Sequence, residues 1–214
     1  MISNSLSADA RQQANVYDKI GEKYEAIFGN NTNQTTAVKW LLDRLPPNSK
    51  ILDIGSGTGV PTARMLADAG HTVTGIDISV EMVKIAQHQV PQGTFFQADA
   101  ANLSFAPASF HAVTAFFSLL MLRRANIEST LRQIKTILKS PGYLVLGMVE
   151  GDFDYYEAEF LGQPVHVSAY PRDVLASHLK DLSFTILDNH FVKFQANKQT
   201  PPETQLFFFC QNQA

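Results

Sequence analysis

The sequence predicts a single α/β domain built around a mostly parallel sheet. From Lys50 onward, short apolar runs alternate with amphipathic helical patterns, which is typical of βαβ units. A length of 214 residues suits one compact core with a few added elements. Two strand-like runs, Phe184 to Phe194 and Thr204 to Cys210, close the chain around a Pro-rich segment, Thr200-Pro201-Pro202. We therefore expect an antiparallel hairpin at the sheet edge.

Composition narrows the classes of function. Hydrophobic residues make up 45% of the chain and charged residues 17%, as in ordinary globular enzymes. The net charge is −3 and there is no Lys/Arg run, so we expect no nucleic-acid partner. The single cysteine, Cys210, favours a reducing compartment. The start, Met1 to Ala10, is polar, and no apolar run approaches the roughly 20 residues of a membrane span, so we expect a cytoplasmic protein with a frayed N-terminus and no membrane partner. The sequence does not distinguish a monomer from a homodimer.

Each element follows from local patterns. Two helices are expected before the first strand, one carrying Val16, Ile20, Tyr24 and Ile27 at helical spacing and one ending before Pro46-Pro47. Ser79 is the expected N-cap of a later helix. The other expected strands are Ile51–Ile54, Thr72–Ile76, Thr94–Ala98, Phe110–Phe117 and Tyr143–Val149. The other expected helices are Pro61–Ala69, a helix that starts at Asn126 and stops at Pro141-Gly142, and Pro171–Leu179. The helix from Asn126 carries Ile127, Leu131, Ile134 and Leu138 on one face.

The strongest motif is a glycine turn after the first strand, Asp53-Ile54-Gly55-Ser56-Gly57-Thr58-Gly59. Such a turn lets backbone N–H groups approach a ligand at the positive end of the next helix. A dinucleotide fingerprint would read G-x-G-x-x-G, whereas here the third glycine comes one residue early and Val60 stands in the last position. The alternative is a glycine turn that binds nothing.

Acidic residues end three successive predicted strands. Asp53 ends the first, Asp77 the second and Asp99 the third. Because the carboxyl ends of parallel strands share one sheet edge, the three carboxylates are expected in one crevice, and an acid at the position of Asp77 accepts ribose hydroxyls in nucleoside-binding folds. Any one of them alone is also explained as a solvated strand end or a helix cap.

With these motifs the chain resembles the Rossmann-like, class I S-adenosylmethionine-dependent methyltransferases of small-molecule type, from about Tyr17 to the C-terminus. The resemblance implies a three-layer sandwich with a seven-stranded sheet and a small helical cap. It also implies that residues 1–214 form one methyltransferase domain with an N-terminal lid over residues 1–45, and that S-adenosylhomocysteine is the product.

The resemblance also implies a role for each motif residue. Asp53 would support the amino group of the cofactor, Asp77 would bind the ribose, and Asp99 with the Ala100 backbone would contact the adenine. The other implied cofactor contacts are Gly55, Ser56, Gly57, Thr58, Gly59, Ile78, Met82, Phe116 and two tyrosines of the N-terminal helix, Tyr17 and Tyr24. Core packing remains the alternative for Met82, Tyr17 and Tyr24.

The acceptor is expected under residues 150–170, which resemble the variable acceptor cap of small-molecule members. The segment Phe116-Phe117-Ser118-Leu119 stands where methylases of exocyclic or amide nitrogens carry Asn/Asp-Pro-Pro-Tyr, so an oxygen, carbon or amine acceptor is favoured. His166, the only histidine of the cap, is a candidate general base. A packing role is its alternative, and no metal site is expected.

Two other functions stay open at this stage. A protein that binds S-adenosylmethionine without methylating, as a scaffold, regulator or non-methylating cyclase, would carry the same motifs. A nicotinamide oxidoreductase is disfavoured by the glycine spacing and by the lack of a Tyr-x-x-x-Lys motif.

Overall fold

The computed structural model describes residues 6–21, 23–28, 31–195 and 202–213, with only the backbone described for 26–28. Seven α-helices and nine strands are found in these residues. The helices are α1 (Ala8–Ile20), α2 (Lys23–Phe28), α3 (Thr32–Leu42), α4 (Thr62–Asp68), α5 (Val80–Gln89), α6 (Arg124–Ile137) and α7 (Arg172–Asp181). The strands are β1 (Lys50–Ile54), β2 (Thr72–Asp77), β3 (Thr94–Gln97), β4 (Phe110–Phe116), β5 (Leu138–Val149), β6 (Phe153–Phe160), β7 (Gln163–Ala169), β8 (Phe184–Phe194) and β9 (Glu203–Asn212).

The main sheet confirms the predicted fold class. Its seven strands lie in the order β3-β2-β1-β4-β5-β9-β8, and the first five are parallel. β9 runs antiparallel between β5 and β8, so the expected terminal hairpin is present. The strand order reverses between β1 and β4, where Asp53 is in register with Thr114. Such a switch point opens a crevice beyond the carboxyl ends of the strands.

The core has two layers, one on each face of the sheet. Successive side chains of β1 alternate between them, with Leu52 on one face and Ile51 on the other. α6 and α7 cover the face of Leu52, while α3, α4 and α5 cover the face of Ile51. This is the three-layer sandwich that the sequence predicts.

The N-terminal region differs from the prediction in two ways. Three helices, not two, precede β1, because Gly21 takes a φ of 48° and ends α1 within the expected helix. The expected frayed start does not extend to Ala10, because α1 begins at Ala8 and Ser7 Oγ caps it by accepting the backbone N–H of Ala10 at 3.1 Å. Residues 1–5 of that prediction lie outside the described residues, as do Thr200 and Pro201 of the Pro-rich segment.

The ends of α6 differ because distant residues cap them. α6 begins at Arg124, two residues before the expected Asn126, and Asp154 Oδ1 accepts the backbone N–H of Arg124 at 2.8 Å. α6 ends at Ile137, before Pro141-Gly142, since Leu138 already pairs with Phe110 in the sheet. Leu138 is therefore a strand residue and not the last apolar residue of the helix.

Residues 150–170, where no clear element is predicted, form a hairpin of β6 and β7 that packs on α1 through Val165. The helical part of the cap is thus the N-terminal region, and the rest of it is β-structure. No helix in the described ranges is long and apolar enough to cross a membrane.

Candidate functional site

The glycine turn after β1 is folded as a tight backbone cradle. Gly55, Gly57 and Gly59 have φ values of 70°, 53° and 82°, a region that other residues adopt only with strain. A Cβ on Gly55 would lie 2.1 Å from the Cβ of Ser118, so β4 leaves no room for a side chain there. The N–H of Gly57 donates to Asp77 Oδ2 at 2.9 Å, which ties the turn to the end of β2.

One cavity of about 1170 Å³, including open solvent at its mouth, lies at the carboxyl edge of the sheet. We call it the edge cavity. It is lined by thirteen of the fourteen residues expected to contact the cofactor, namely Tyr17, Tyr24, Asp53, Gly55, Ser56, Gly57, Thr58, Asp77, Ile78, Met82, Asp99, Ala100 and Phe116. The topology therefore brings the three acidic strand ends together as predicted.

Gly59 is the exception. It does not line the edge cavity; a Cβ at this position would lie 3.0 Å from Val90 Cγ2 and 3.3 Å from Ala86 Cβ. The third glycine lets the turn approach α5. Its expected cofactor contact is corrected to a packing role.

Two buried acids of the edge cavity, Asp53 and Asp77, have pKa values well above their ordinary range. Burial raises the pKa of Asp53 to about 7, although the Thr114 hydroxyl donates to Asp53 Oδ1 at 2.7 Å and opposes the shift. Burial also raises the pKa of Asp77 to about 6, against the effect of hydrogen bonds from the backbone N–H groups of Ser79 and Gly57. Both carboxylates would gain from a ligand that supplies positive charge or hydroxyl donors.

Two hydroxyl groups of the glycine turn also lack hydrogen-bond partners within the part of the chain that the structure describes. Ser56 Oγ and Thr58 Oγ1 are buried, and neither has a hydrogen-bond partner among the described residues. An unpaired buried hydroxyl costs about 1–3 kcal/mol, so a polar ligand in the edge cavity would remove a penalty that the protein carries without it.

Helix α1 closes over the edge cavity and is tied down along its length. Ser7 Oγ donates to Asp99 Oδ2 at 2.9 Å, and Asp18 Oδ1 accepts from Ser79 Oγ at 2.6 Å. Between these ties, Gln13 Nε2 donates to the backbone carbonyl of His166 at 2.6 Å on the β6–β7 hairpin. Hydrogen bonds thus tie α1 and its N-cap to the segment after β3, to the N-cap of α5 and to the hairpin.

At one rim of this cavity, sequence reasoning missed Asp9 and Arg123 and expected Tyr155 only as an aromatic wall of the acceptor cap. Asp9 accepts from Arg123 Nε at 2.8 Å, and the Arg123 guanidinium lies 3.9 Å from the centre of the Tyr155 ring. All three line the edge cavity. Ser7, which also lines the cavity, is recognisable in the sequence as an N-cap, because it is a serine three residues before Ala10 at the start of a helical pattern. Asp9, Arg123 and Tyr155 come from separate elements, and no local pattern brings them together.

Tyr17 and Tyr24 do not share one helix, since α1 ends between them, yet their rings meet. The ring centroids are 6.4 Å apart in an edge-to-face arrangement. The Tyr17 hydroxyl lies 3.5 Å from Met121 Sδ. Burial, followed by the negative charges of Asp77 and Glu203, raises the pKa of Tyr24 to about 12. The two tyrosines form part of the wall between the edge cavity and a second one.

The second cavity, of about 1260 Å³ with its open mouth, lies between the sheet, the hairpin and the N-terminal helices. We call it the hairpin cavity. Tyr17, Tyr24, Phe117 and Met121 line both cavities. Its other walls are mostly apolar, with Phe153 and Phe160 of the hairpin among them. It occupies the place expected for the acceptor.

His166 is misplaced for the role of general base. It lies on β7 between Val165 and Val167, which both line the hairpin cavity, so its own side chain faces the opposite side of the strand. The imidazole stacks on Tyr155 with centroids 4.6 Å apart and lies 3.8 Å from a Glu157 carboxylate oxygen. It lines neither cavity. This geometry corrects the expectation that the imidazole faces the acceptor.

Comparison with known proteins shows which proteins share the sequence around the edge cavity. Residues 51–142, which include the glycine turn and all three acids, match a family described as a methyltransferase domain. A demethylmenaquinone methyltransferase from Thermotoga maritima is 33% identical over 137 residues, which are 61% of this chain and 58% of that protein. Residues 51–142 therefore carry a methyltransferase domain. The aligned part spans less than two thirds of the relative, so the comparison bears on this methyltransferase domain and not on the whole of either protein.

Two solved structures share the fold of this methyltransferase domain over almost the whole chain. One is the 1,6-didemethyltoxoflavin-N1-methyltransferase of Burkholderia thailandensis, crystallised with 1,6-didemethyltoxoflavin and S-adenosylhomocysteine. It is 18% identical with a TM-score of 0.73, and the alignment covers 100% of this chain and 94% of that chain. The [4+2]-cyclase SpnF is 20% identical with a TM-score of 0.75 and covers 99% of this chain and 100% of its own. At these identities the likeness concerns the fold alone.

Proposed function

We propose that this methyltransferase domain binds S-adenosylmethionine in the edge cavity and transfers its methyl group to a small molecule in the hairpin cavity, releasing S-adenosylhomocysteine. The observation that carries the proposal is the convergence of Asp53, Asp77 and Asp99 with the glycine turn on one cavity. When bound, the cofactor supplies a methyl group already activated by a sulfonium, so neither a metal nor a covalent nucleophile is required.

The residues of the edge cavity fit this cofactor. Asp77 is proposed to accept the ribose hydroxyls, and Asp53 to pair with the amino group of the methionine half. Asp99 is proposed to bind the adenine amino group through Oδ1, which accepts the backbone N–H of Ala101 at 2.9 Å and has a lone pair for a second donor, whereas Oδ2 already accepts from both the hydroxyl and the backbone N–H of Ser7. The unpaired hydroxyls of Ser56 and Thr58 are available to polar atoms of the ligand.

The chain's contribution to the reaction would be alignment and exclusion of water. Well-aligned reactants can save about 7–11 kcal/mol of barrier, whereas a general base adds about 10²–10⁴-fold. Tyr17, Tyr24, Phe117 and Met121 stand where the two cavities meet, and they would set the angle at which the acceptor faces the methyl group. The misplacement of His166 is therefore no obstacle.

We propose further that residues 1–214 act as one domain in which α1 and the β6–β7 hairpin form the lid. α1 covers the edge cavity through side-chain hydrogen bonds to Asp99, Ser79 and the His166 carbonyl. A methyl donor must be shielded from water during transfer and both products must leave, so an element has to open. The central sheet is too deeply packed to do so.

A second function is favoured by one specific observation. SpnF, a [4+2]-cyclase by name, matches this chain over its full length, so the fold also occurs in an enzyme named for another reaction. A chain that binds the cofactor without transferring methyl groups would show the same edge cavity.

Two measurements test the proposal. Calorimetry with S-adenosylmethionine and S-adenosylhomocysteine is expected to give dissociation constants in the micromolar range, roughly −8 kcal/mol. No heat and no thermal shift at millimolar ligand would refute cofactor binding. Transfer of a labelled methyl group from the cofactor to aromatic alcohols and amines separates the methyltransferase from the non-methylating alternative, which would bind the cofactor but label nothing.

A further inference from the structure

The hairpin cavity contains few groups that can recognise a polar atom of an acceptor. Its lining is apolar except for Glu159, Ser168, Glu203, Gln205 and the hydroxyls of Tyr17 and Tyr24, of which the Tyr17 hydroxyl lies 3.5 Å from Met121 Sδ. Glu159 is solvent-exposed. The Ser168 hydroxyl is already engaged, since it accepts from the backbone N–H of Tyr155 at 2.8 Å and donates to Asp154 at 3.1 Å. Besides the two tyrosine hydroxyls where the cavities meet, the polar side chains left to contact an acceptor are therefore those of Glu203 and Gln205.

These two residues form an oriented pair on one face of β9. Residues 203, 205 and 207 alternate onto the same side of the strand. Gln205 is 2% exposed and donates from Nε2 to Glu203 Oε1 at 3.0 Å. Gln205 is itself held by buried Asn31, whose Nδ2 donates to Gln205 Oε1 at 3.3 Å. Oε1 of Glu203 is thus fixed by the protein, and no described residue donates to Oε2, which is the oxygen left for a bound molecule.

The position of Glu203 suits contact with an acceptor near the cofactor. Tyr24 lines both cavities, and the negative charges of Asp77 and Glu203 both raise its pKa. Glu203 therefore lies toward the junction of the two cavities. Burial raises the pKa of Glu203, and the hydrogen bond from Gln205 opposes this shift, which marks a carboxyl group that lacks full solvation.

We propose that Glu203, oriented by Gln205, is the specificity-determining residue of the acceptor site and binds a hydroxyl or amine hydrogen carried by an otherwise apolar ring compound. The inference rests on the proposed function and names the acceptor class for the same site. A carboxylate in an apolar cavity favours a hydrogen-bond donor. It rejects the same ring without that donor, because the carboxylate would then lose solvation and gain no partner.

The test compares 1-naphthol with 1-methoxynaphthalene, which has the same ring but no hydrogen to donate. Binding is measured by calorimetry near pH 8, with and without saturating S-adenosylhomocysteine. The wild-type protein is expected to bind 1-naphthol at least about tenfold more tightly. In Glu203→Gln the amide oxygen keeps the hydrogen bond from Gln205, so an NH2 donor replaces Oε2 and the preference is expected to fall severalfold. Glu159→Gln is the matched control, with the same chemical change at an exposed position of the same cavity, and should keep the wild-type preference.

The outcomes separate this inference from the proposed function. Equal binding of the two probes by the wild-type protein, no binding of either at millimolar concentration, or an undiminished preference in Glu203→Gln would each overturn it. Binding of S-adenosylhomocysteine reports on the edge cavity and on folding, and is expected to be unchanged in both variants. If S-adenosylhomocysteine did not bind the wild-type protein, the proposed function would fail, while the probe preference measured without it would still decide the role of Glu203.

Discussion

Replacing Asp53 by Asn is expected to stabilise the cofactor-free protein and weaken cofactor binding at the same time. Asp53 is 3% exposed, and burial raises its pKa from 3.8 to about 7. Its one side-chain partner, the Thr114 hydroxyl, can donate equally well to the carbonyl oxygen of an amide. The substitution removes a charge from a buried position without removing that bond.

The magnitude follows from the shifted pKa. Since each pKa unit equals about 1.4 kcal/mol, the change from 3.8 to about 7 corresponds to a cost of roughly 4 kcal/mol for the ionised form. The pKa is higher in the folded state, so between these values the folded protein binds more protons than the unfolded chain. The free energy of unfolding therefore falls as the pH rises through this window. The Asn variant should gain up to roughly 4 kcal/mol near pH 8 and about half of that near pH 5.

Cofactor binding should change in the opposite direction. If Asp53 pairs with the ammonium of the methionine half, the Asn variant loses a charge-assisted hydrogen bond in a buried site, which costs about tenfold or more in affinity. In the wild-type protein the affinity should also decline as the pH is lowered through about 7, because the carboxyl group of Asp53 then takes up a proton that competes with the ligand.

The assays are urea unfolding of the cofactor-free protein near pH 5 and pH 8, and calorimetry with S-adenosylhomocysteine. Asp68→Asn is the matched control, since Asp68 is exposed at the end of α4 and its replacement should change neither quantity. A variant at Asp53 no more stable than the wild-type protein near pH 8 would refute the buried-charge argument. Unchanged affinity would refute the pairing with the cofactor.

Three other perturbations address the remaining parts of the site. Asp77→Asn should weaken S-adenosylhomocysteine at least about tenfold in calorimetry, because it removes the charged acceptor proposed for two ribose hydroxyls, and unchanged affinity in a folded variant would exclude that role. Gly55→Ala should unfold the domain or lower its free energy of unfolding by more than about 3 kcal/mol, because the added Cβ would overlap Ser118. Gly57→Ala, with nothing within 4 Å of the added Cβ, should cost about 1–2 kcal/mol of backbone strain. Equal urea midpoints of the two variants would contradict this. In hydrogen exchange, α1 and β6–β7 should be less protected than β1 and should gain protection when S-adenosylhomocysteine binds, and no gain would remove the lid.

The sequence was sufficient for those parts of the site that local patterns and parallel topology determine together. Asp53, Asp77 and Asp99 each follow a short apolar run, and a parallel sheet has to place such strand ends on one edge. The same reasoning located Ser79 as a cap, and its hydroxyl accepts the Met82 N–H at 3.1 Å. No long-range information was needed for these assignments.

The errors arose where the reason for a residue lies in a distant segment. The family resemblance implies a cofactor contact for Gly59, but the packing of Ala86 and Val90 against the turn explains that glycine. His166 was chosen as the only histidine of the cap, and only the hairpin shows that its strand alternation directs Val165 and Val167 into the cavity instead. The first residue of α6 depends on Asp154, thirty positions away.

The cofactor-free site combines several costs that a single ligand would relieve. Burial disfavours the charges of Asp53 and Asp77, and the hydroxyls of Ser56 and Thr58 lack partners among the described residues. A ligand that supplies the missing partners binds only the folded state, and so raises the free energy of unfolding with the logarithm of its concentration over the dissociation constant. The lid shares this coupling, because Ser7 hydrogen-bonds to Asp99 and closes α1 over the same cavity. Closure that strengthens cofactor binding must, by the same linkage, be strengthened by the cofactor.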